Sequence, residues 1–158
     1  MNNNDILRRL RYTFDLSDEE MMKIFALAER ESSRAEISNW LKKDDHPEQV
    51  NLYDRELATF LNGFINLKRG KREGIQPKPE KSLNNNGILR KLKIALNLKD
   101  DEVLDILELA DFRFSKSELS ALFRSPEHKH FRLCKDQVLR NFLHGLQIKY
   151  RGDKVEKT

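Results

Sequence analysis

The sequence holds a single cysteine, Cys134, so no internal disulfide can form and stability must come from packing. Long apolar runs are missing too: nothing approaches the roughly 18 uncharged apolar residues of a membrane-spanning helix. The opening "MNNNDILRRLR" has no apolar core of the kind a secretory signal carries. These absences predict a cytoplasmic protein with no membrane contact. No glycine-rich phosphate loop and no nucleophile motif appears, so the familiar phosphoryl-transfer and acyl-transfer signatures are lacking. Charge of one sign is lacking as well. Thirty Lys and Arg stand against 26 Asp and Glu, and the net charge of +4 permits nucleic-acid contact without calling for it.

What the chain does have is an internal repeat. "NNNDILRRLRYTF" near the start returns as "NNNGILRKLKIAL", and an offset of 82 aligns residues 2–70 with 84–152 without a gap. Of the 69 aligned pairs, 24 are identical, among them Ile6/Ile88, Leu10/Leu92, Ile24/Ile106, Phe60/Phe142 and Gly63/Gly145. Between the copies, "KREGIQPKPEKS" gathers two prolines, a glycine and many charges, which disfavour regular structure. The domain organisation expected is a first repeat over 1–72, a linker over 73–82, a second repeat over 83–153 and a tail over 154–158.

Each copy reads as four helices. Ile6, Leu7, Leu10 and Phe14 share one stripe of a first helix, with Arg8, Arg9 and Arg11 turned away. "DEEMMKIFALA" spreads Met21, Met22, Ile24, Phe25 and Leu27 round most of a second, which predicts packing on several sides. Ser33-x-x-Glu36 and Ser115-x-x-Glu118 are capping boxes that start a third. Leu57, Phe60, Leu61 and Phe64 line a fourth, opening at Asp54 or Asp136 and stopping at Arg69-Gly70 or Arg151-Gly152. A glycine inside that helix costs roughly 1 kcal/mol against alanine, so Gly63 and Gly145 imply another backbone passing close by. The fold class expected is all-α, two tandem four-helix repeats docked together.

The stretches "NNNDILRRLRYTFDLSDEEMMKIFALA" and "LNGFINLKRG", with their second copies "NNNGILRKLKIALNLKDDEVLDILELA" and "LHGLQIKYRG", resemble the bacterial YehS-like proteins. That family is built from two copies of a domain of unknown function. The resemblance supports the architecture and transfers no catalytic residue. The second copy departs from the first where Lys99 replaces the capping Ser17 and Gly87 replaces Asp5.

The recurring carboxylates Asp18/Asp100, Glu20/Glu102, Glu36/Glu118 and Asp54/Asp136 all fall in a first helical turn, where capping and the helix dipole favour an acid without any catalytic role. His128-x-His130 with Cys134 has ligand types suited to zinc, but no fourth ligand is apparent, and neither metal nor cofactor is expected. The asparagine triplets exceed what capping alone requires. Asn4 and Arg8 are four residues apart, as are Asn86 and Arg90, so each pair shares a helix face near the positive end of the dipole. Asn3, Asn4, Arg8, Asn85, Asn86 and Arg90 therefore form the candidate polar or anion-holding corner, with docking of the two copies through the asparagines the favoured use.

The alternative is a helix-turn-helix-like unit. In "DEEMMKIFALAERESSRAEISNWLKK" a short helix, a tight connection and a capped helix follow one another, and Arg34, Asn39 and Lys43 could face a DNA groove. The second copy offers Lys116 and Arg124 within a different reading surface. Acidic neighbours oppose that use, and the glycine common in such turns is replaced by Glu29 to Glu31. The function expected is thus non-enzymatic: a protein-interaction or scaffold module that meets a protein partner or a second copy of itself, with a nucleic-acid-binding regulator as the alternative.

Overall fold

Asparagine or serine stands immediately before five of the apolar stripes, and at those positions the backbone turns helical. The computed structural model describes residues 1–152. Its regular elements are helices, with no strand among the described residues. The chain splits into two units, the first over Met1–Leu83 and the second from Asn84 onward. The first holds α1 (Asn3–Thr13), α2 (Asp18–Leu27), α3 (Arg34–Leu41) and α4 (Asp54–Arg69). The second holds α5 (Asn85–Ala95), α6 (Asp100–Leu109), α7 (Lys116–Leu122) and α8 (Asp136–Leu146), and α8 runs on as a π-helical turn over Gln147–Arg151. The expected tail, 154–158, lies outside the described residues.

Local chemistry sets these boundaries. Ser17 accepts from the Glu20 backbone N–H while the Glu20 carboxylate accepts from that of Ser17, a reciprocal cap. Lys99 has no side-chain acceptor, so only the return bond to Glu102 survives in the second copy. Ser33 and Ser115 cap α3 and α7 as the spacing predicts. Helices α1, α2, α5 and α6 end on a residue in the left-handed conformation: Asp15, Glu29, Asn97 and Asp111, at φ of 52°, 64°, 54° and 56°. None is glycine. Each is held by a bond from the following N–H back to the preceding helix, Leu16 to Arg11 and Arg30 to Phe25 in the first copy, Leu98 to Lys93 and Phe112 to Leu107 in the second. So the tight turn between α2 and α3 forms without the glycine that such turns often use.

The linker is fastened to the first repeat. Asn66 donates both to the Leu27 carbonyl and to the Gln76 side chain, Gln76 donates to the Arg72 carbonyl, and the Leu83 N–H donates to Asp54. Residues 73–83 belong with the first unit for that reason.

In each unit the fourth helix lies against the second. Leu57, Phe60, Leu61 and Phe64 are buried, as are Met21, Ile24 and Phe25 opposite them. Burying each such side chain stabilises by about 1.5–3 kcal/mol. The first core is aromatic: Phe14 and Phe64, Phe25 and Phe60, and Phe25 and Trp40 have ring centroids 5.0, 5.5 and 5.4 Å apart. Leu96, Leu107, Leu122 and Leu146 stand at the corresponding places in the second, where Phe142 alone of that set remains aromatic.

The close backbone approach implied by the helical glycines is between helices of one repeat. A Cβ added to Gly63 would lie 1.9 Å from the Ile24 carbonyl oxygen, and one on Gly145 2.0 Å from that of Ile106. No side-chain rotation can relieve a clash with backbone, so α2 and α4 would have to part. Gly63→Ala and Gly145→Ala should each destabilise their repeat by at least the 1–3 kcal/mol of ordinary overpacking. Gly70→Ala, at φ 88° and ψ 138° but with open surroundings, should cost about 1–3 kcal/mol through backbone strain alone. Thermal melts showing Gly63→Ala no worse than Gly70→Ala would disprove the crossing.

The asparagine corner and other candidate functional sites

The three asparagines of each copy do three different jobs. Asn2 and Asn84 are N-caps, accepting from the Asp5 and Gly87 N–H groups at 2.8 and 2.9 Å. Asn3 reaches the start of α4, donating to the Leu52 carbonyl and, at 2.8 Å, to the Asp54 carboxylate; Asn85 does the same with Cys134 and Asp136. Asn4 is 2% exposed and makes three bonds: its Nδ2 donates to the carbonyls of Trp40 and Val50, both at 2.8 Å, and its Oδ1 accepts from the Leu52 N–H at 3.0 Å. Asn86 repeats this with Leu122, Arg132 and Cys134 at 3.0, 2.9 and 2.8 Å. One primary amide thus stitches the end of the third helix to the irregular segment before the fourth.

The corner is engaged within its own repeat. The buried bonds of Asn4 and Asn86 close each repeat on itself, and both amide hydrogens are already placed on carbonyls, so little remains to hold an anion. Arg8 follows the same pattern. Its Nη1 donates to the Lys42 carbonyl at 2.9 Å and its other nitrogen pairs with Asp5. Arg90 donates to the Phe123 carbonyl at 3.2 Å, with Gly87 where Asp5 stands in the first copy. Even the recurring histidine acts locally: Nδ1 of His46 and of His128 accepts the N–H two residues on, closing a turn.

Three of the five helix-turn-helix candidates are also engaged with their own repeat. Arg34 bonds Glu19 at 2.8 Å and Asp18 at 3.3 Å, and Lys116 lies 3.8 Å from Asp101. Asn39 accepts from Lys42 through its side chain and from the Val50 N–H through its carbonyl. Lys43 is exposed and Arg124 half-buried. Cys134 is buried, and desolvation pushes its thiol up to about 11, the ordinary state of an unreactive core cysteine. His128 and His130 sit exposed in a loop, and among the described residues no group of three His, Cys, Asp or Glu is placed to hold a metal ion.

Where the two copies differ, the surface opens. In the first, Arg30 lies over the Trp40 ring at 5.1 Å, forks onto both Glu36 oxygens at 3.0 and 3.1 Å, and donates to Ser32. That fork draws the Glu36 carboxylate away from the capping box expected at Ser33 and holds its pKa below the usual carboxylate range. In the second, Phe112 and Phe114 replace Arg30 and Ser32, their rings 5.8 Å apart, and Glu118 completes the box at Ser115 instead. Beside them lies an open groove of about 490 Å³ bounded by Leu104, Asp105, Glu108 and Glu118. The sequence signal for this feature was a mismatch between copies, which a search for recurring residues passes over.

A sequence profile for a protein family of unknown function, DUF1456, matches residues 3–70 and again 85–152. The uncharacterized protein YehS of Escherichia coli (strain K12) is 44% identical over 147 residues, which is 92% of this chain and 94% of that protein. No solved structure matches. The chain belongs to the DUF1456 family, as two tandem copies of its domain.

Replacing Asn4 or Asn86 by alanine leaves two carbonyls and one N–H without partners. Each group cut off from water costs about 1–3 kcal/mol, so the melting temperature should fall far more than for Asn2→Ala, which removes one cap worth about 0.5–2 kcal/mol. Equal losses would mean that water replaces the amide at no cost. The Arg30–Glu36 pair makes a separate prediction. Because the folded Glu36 pKa is depressed, its contribution is full above the ordinary glutamate range and disappears as pH falls through the folded value. Both side chains are about a third exposed, so the contribution is on the order of 1 kcal/mol or less. The stability gap between wild type and Arg30→Met should narrow on acidification from pH 7 to pH 3, and a gap independent of pH would rule out the ionic part.

Proposed function

We propose that this chain is a non-enzymatic protein-interaction module acting in the cytoplasm, in which two repeats of one frame present different surfaces to a protein partner. One observation carries the proposal. Polar residues common to both copies, among them Asn2 to Asn4, Arg8, His46 and Asp54 with their counterparts, are bonded into the framework, whereas six of the eight residues that line the groove differ between copies, Ser115 and Glu118 matching Ser33 and Glu36. An active site needs polar groups aimed at a substrate. A recognition module needs a rigid frame and variable contacts, and that division of labour is what the two copies display. No described helix is long and apolar enough to cross a membrane, so the partner is sought among proteins in solution.

The test is affinity capture on the full chain from nuclease-treated lysate of the native host, followed by mass spectrometry and repeated across salt. A protein partner held through an apolar centre should stay bound between about 50 and 200 mM salt, while nucleic acid would lose roughly three or more orders of magnitude in affinity if it used six or more phosphate contacts. Specific capture that survives nuclease and salt is the outcome expected. Retention that vanishes with nuclease would replace this function with the nucleic-acid alternative.

A further inference from the structure

The first repeat contains a completed arginine site, and the second contains a related site without the arginine. Arg30 is bound in two ways at once: its guanidinium forks onto Glu36, and its plane lies 5.1 Å from the Trp40 ring and 5.9 Å from that of Phe25. At the equivalent positions of the second repeat, Glu118 keeps the carboxylate of Glu36, but Phe112 stands where Arg30 was. The aromatic surface has moved from the floor to the wall. Leu122 and Leu107 replace Trp40 and Phe25 beneath, while Phe112 and Phe114 rise beside the groove, half-buried. Glu118 accepts the Ser115 N–H on Oε1, and among the described residues no arginine or lysine pairs with it.

The charge around the groove has changed in step. Lys23 and Ala26 of the first repeat become Asp105 and Glu108 of the second. Three carboxylates, those of Asp105, Glu108 and Glu118, therefore line an open space of about 490 Å³ together with Leu104 and the two phenylalanines, with Arg113 the one basic residue of the lining. A compact ammonium would find the acids and some cation–π attraction, but it has no flat face to stack on the rings. An apolar side chain alone would leave the carboxylates facing it. An arginine satisfies both, since its flat, weakly hydrated guanidinium stacks on aromatic faces and donates along its edge to a carboxylate.

We propose that this groove receives an arginine from a basic segment of a protein partner, stacked against Phe112 and Phe114 and bonded to Glu118, with a neighbouring basic residue facing Asp105 and Glu108. The proposal rests on the interaction function above and names its chemistry. The first repeat carries its own arginine in the corresponding place, so the docking is confined to the second.

The experiment titrates the full-length chain, labelled with ¹⁵N, with the peptide acetyl-Leu-Arg-Arg-Leu-amide. The same peptide with citrulline, or with lysine, in place of arginine serves as control. Shift changes should cluster at 104–118 and saturate, with the lysine peptide weaker by about tenfold and the citrulline peptide weaker still. Glu118→Gln should weaken arginine binding by about tenfold or more through loss of the charge-assisted fork. Phe112→Arg combined with Phe114→Ser restores the arginine that can pair with the carboxylate at 118, though over Leu107 and Leu122 instead of aromatic rings, and it should abolish peptide binding while the far-ultraviolet spectrum and melting temperature stay near wild type. Shifts scattered over the whole acidic surface, or equal response to the arginine and lysine peptides, would overturn the proposal. In the affinity capture described above, a partner retained undiminished on the chain carrying Phe112→Arg and Phe114→Ser would also overturn the groove while leaving the interaction function standing. Absence of any captured protein would remove that function itself.

Discussion

Each repeat depends on how one buried amide is satisfied. Between the third and fourth helices the chain runs irregularly, over 42–53 in the first copy and 123–135 in the second, and backbone in such a segment must find partners or stay in water. Asn4 and Asn86 supply partners from the opposite side of the domain. A primary amide offers two donors and an acceptor in one plane, matching two carbonyls and an N–H better than any hydroxyl or carboxylate can. The consequence propagates outward. With the segment fixed, Leu52 or Cys134 turns inward, Asn3 or Asn85 meets the acid that opens the fourth helix, and that helix is aimed at the second.

Aim matters because the crossing is tight. Gly63 and Gly145 leave no room for a methyl group against the carbonyl of Ile24 or Ile106, so the second and fourth helices meet backbone to backbone. Everything else in the core is negotiable within hydrophobic volume. The first repeat fills it with stacked aromatics and the second with leucines, and both keep the crossing. Cores tolerate such exchange where total volume and pattern are preserved, whereas a backbone contact admits no substitute. That contrast explains why glycine and asparagine recur while Phe25, Trp40 and Phe64 become Leu107, Leu122 and Leu146.

The fold was largely legible because its signals are local. Apolar spacing marked the helices, Ser33 and Ser115 marked two of their starts, and Gly70 and Gly152 marked two of their ends. The asparagine corner was legible as a feature but not in its partners: spacing along α1 placed Asn4 beside Arg8, but Trp40, Val50 and Leu52 lie 36 to 48 residues away, and no local pattern shows which backbone groups will arrive there. Arg30 escaped notice for a related reason. Its partner Glu36 is six residues off across a turn, and the capping box that the sequence displays at Ser33 is the arrangement that the arginine displaces.

Internal duplication supplies a comparison that a single domain would not. Two copies under the same folding constraints retain what the frame requires, so residues they share report on stability first and on function only if stability leaves them unused. In this chain the shared asparagines, Arg8/Arg90 and Asp54/Asp136 are used in that way. Function is therefore better sought where one copy has given up an interaction that the other still makes. The Arg30–Glu36 fork is such an interaction, since its loss in the second repeat came with two added aromatic rings and two added carboxylates at the same surface rather than with a neutral filling of the space. Had packing alone governed the change, an aliphatic residue at 112 over Leu107 and Leu122 would have sufficed. The two phenylalanines stay partly exposed beside three solvent-exposed carboxylates, and a basic partner segment is the simplest contact that would use both the rings and the charge.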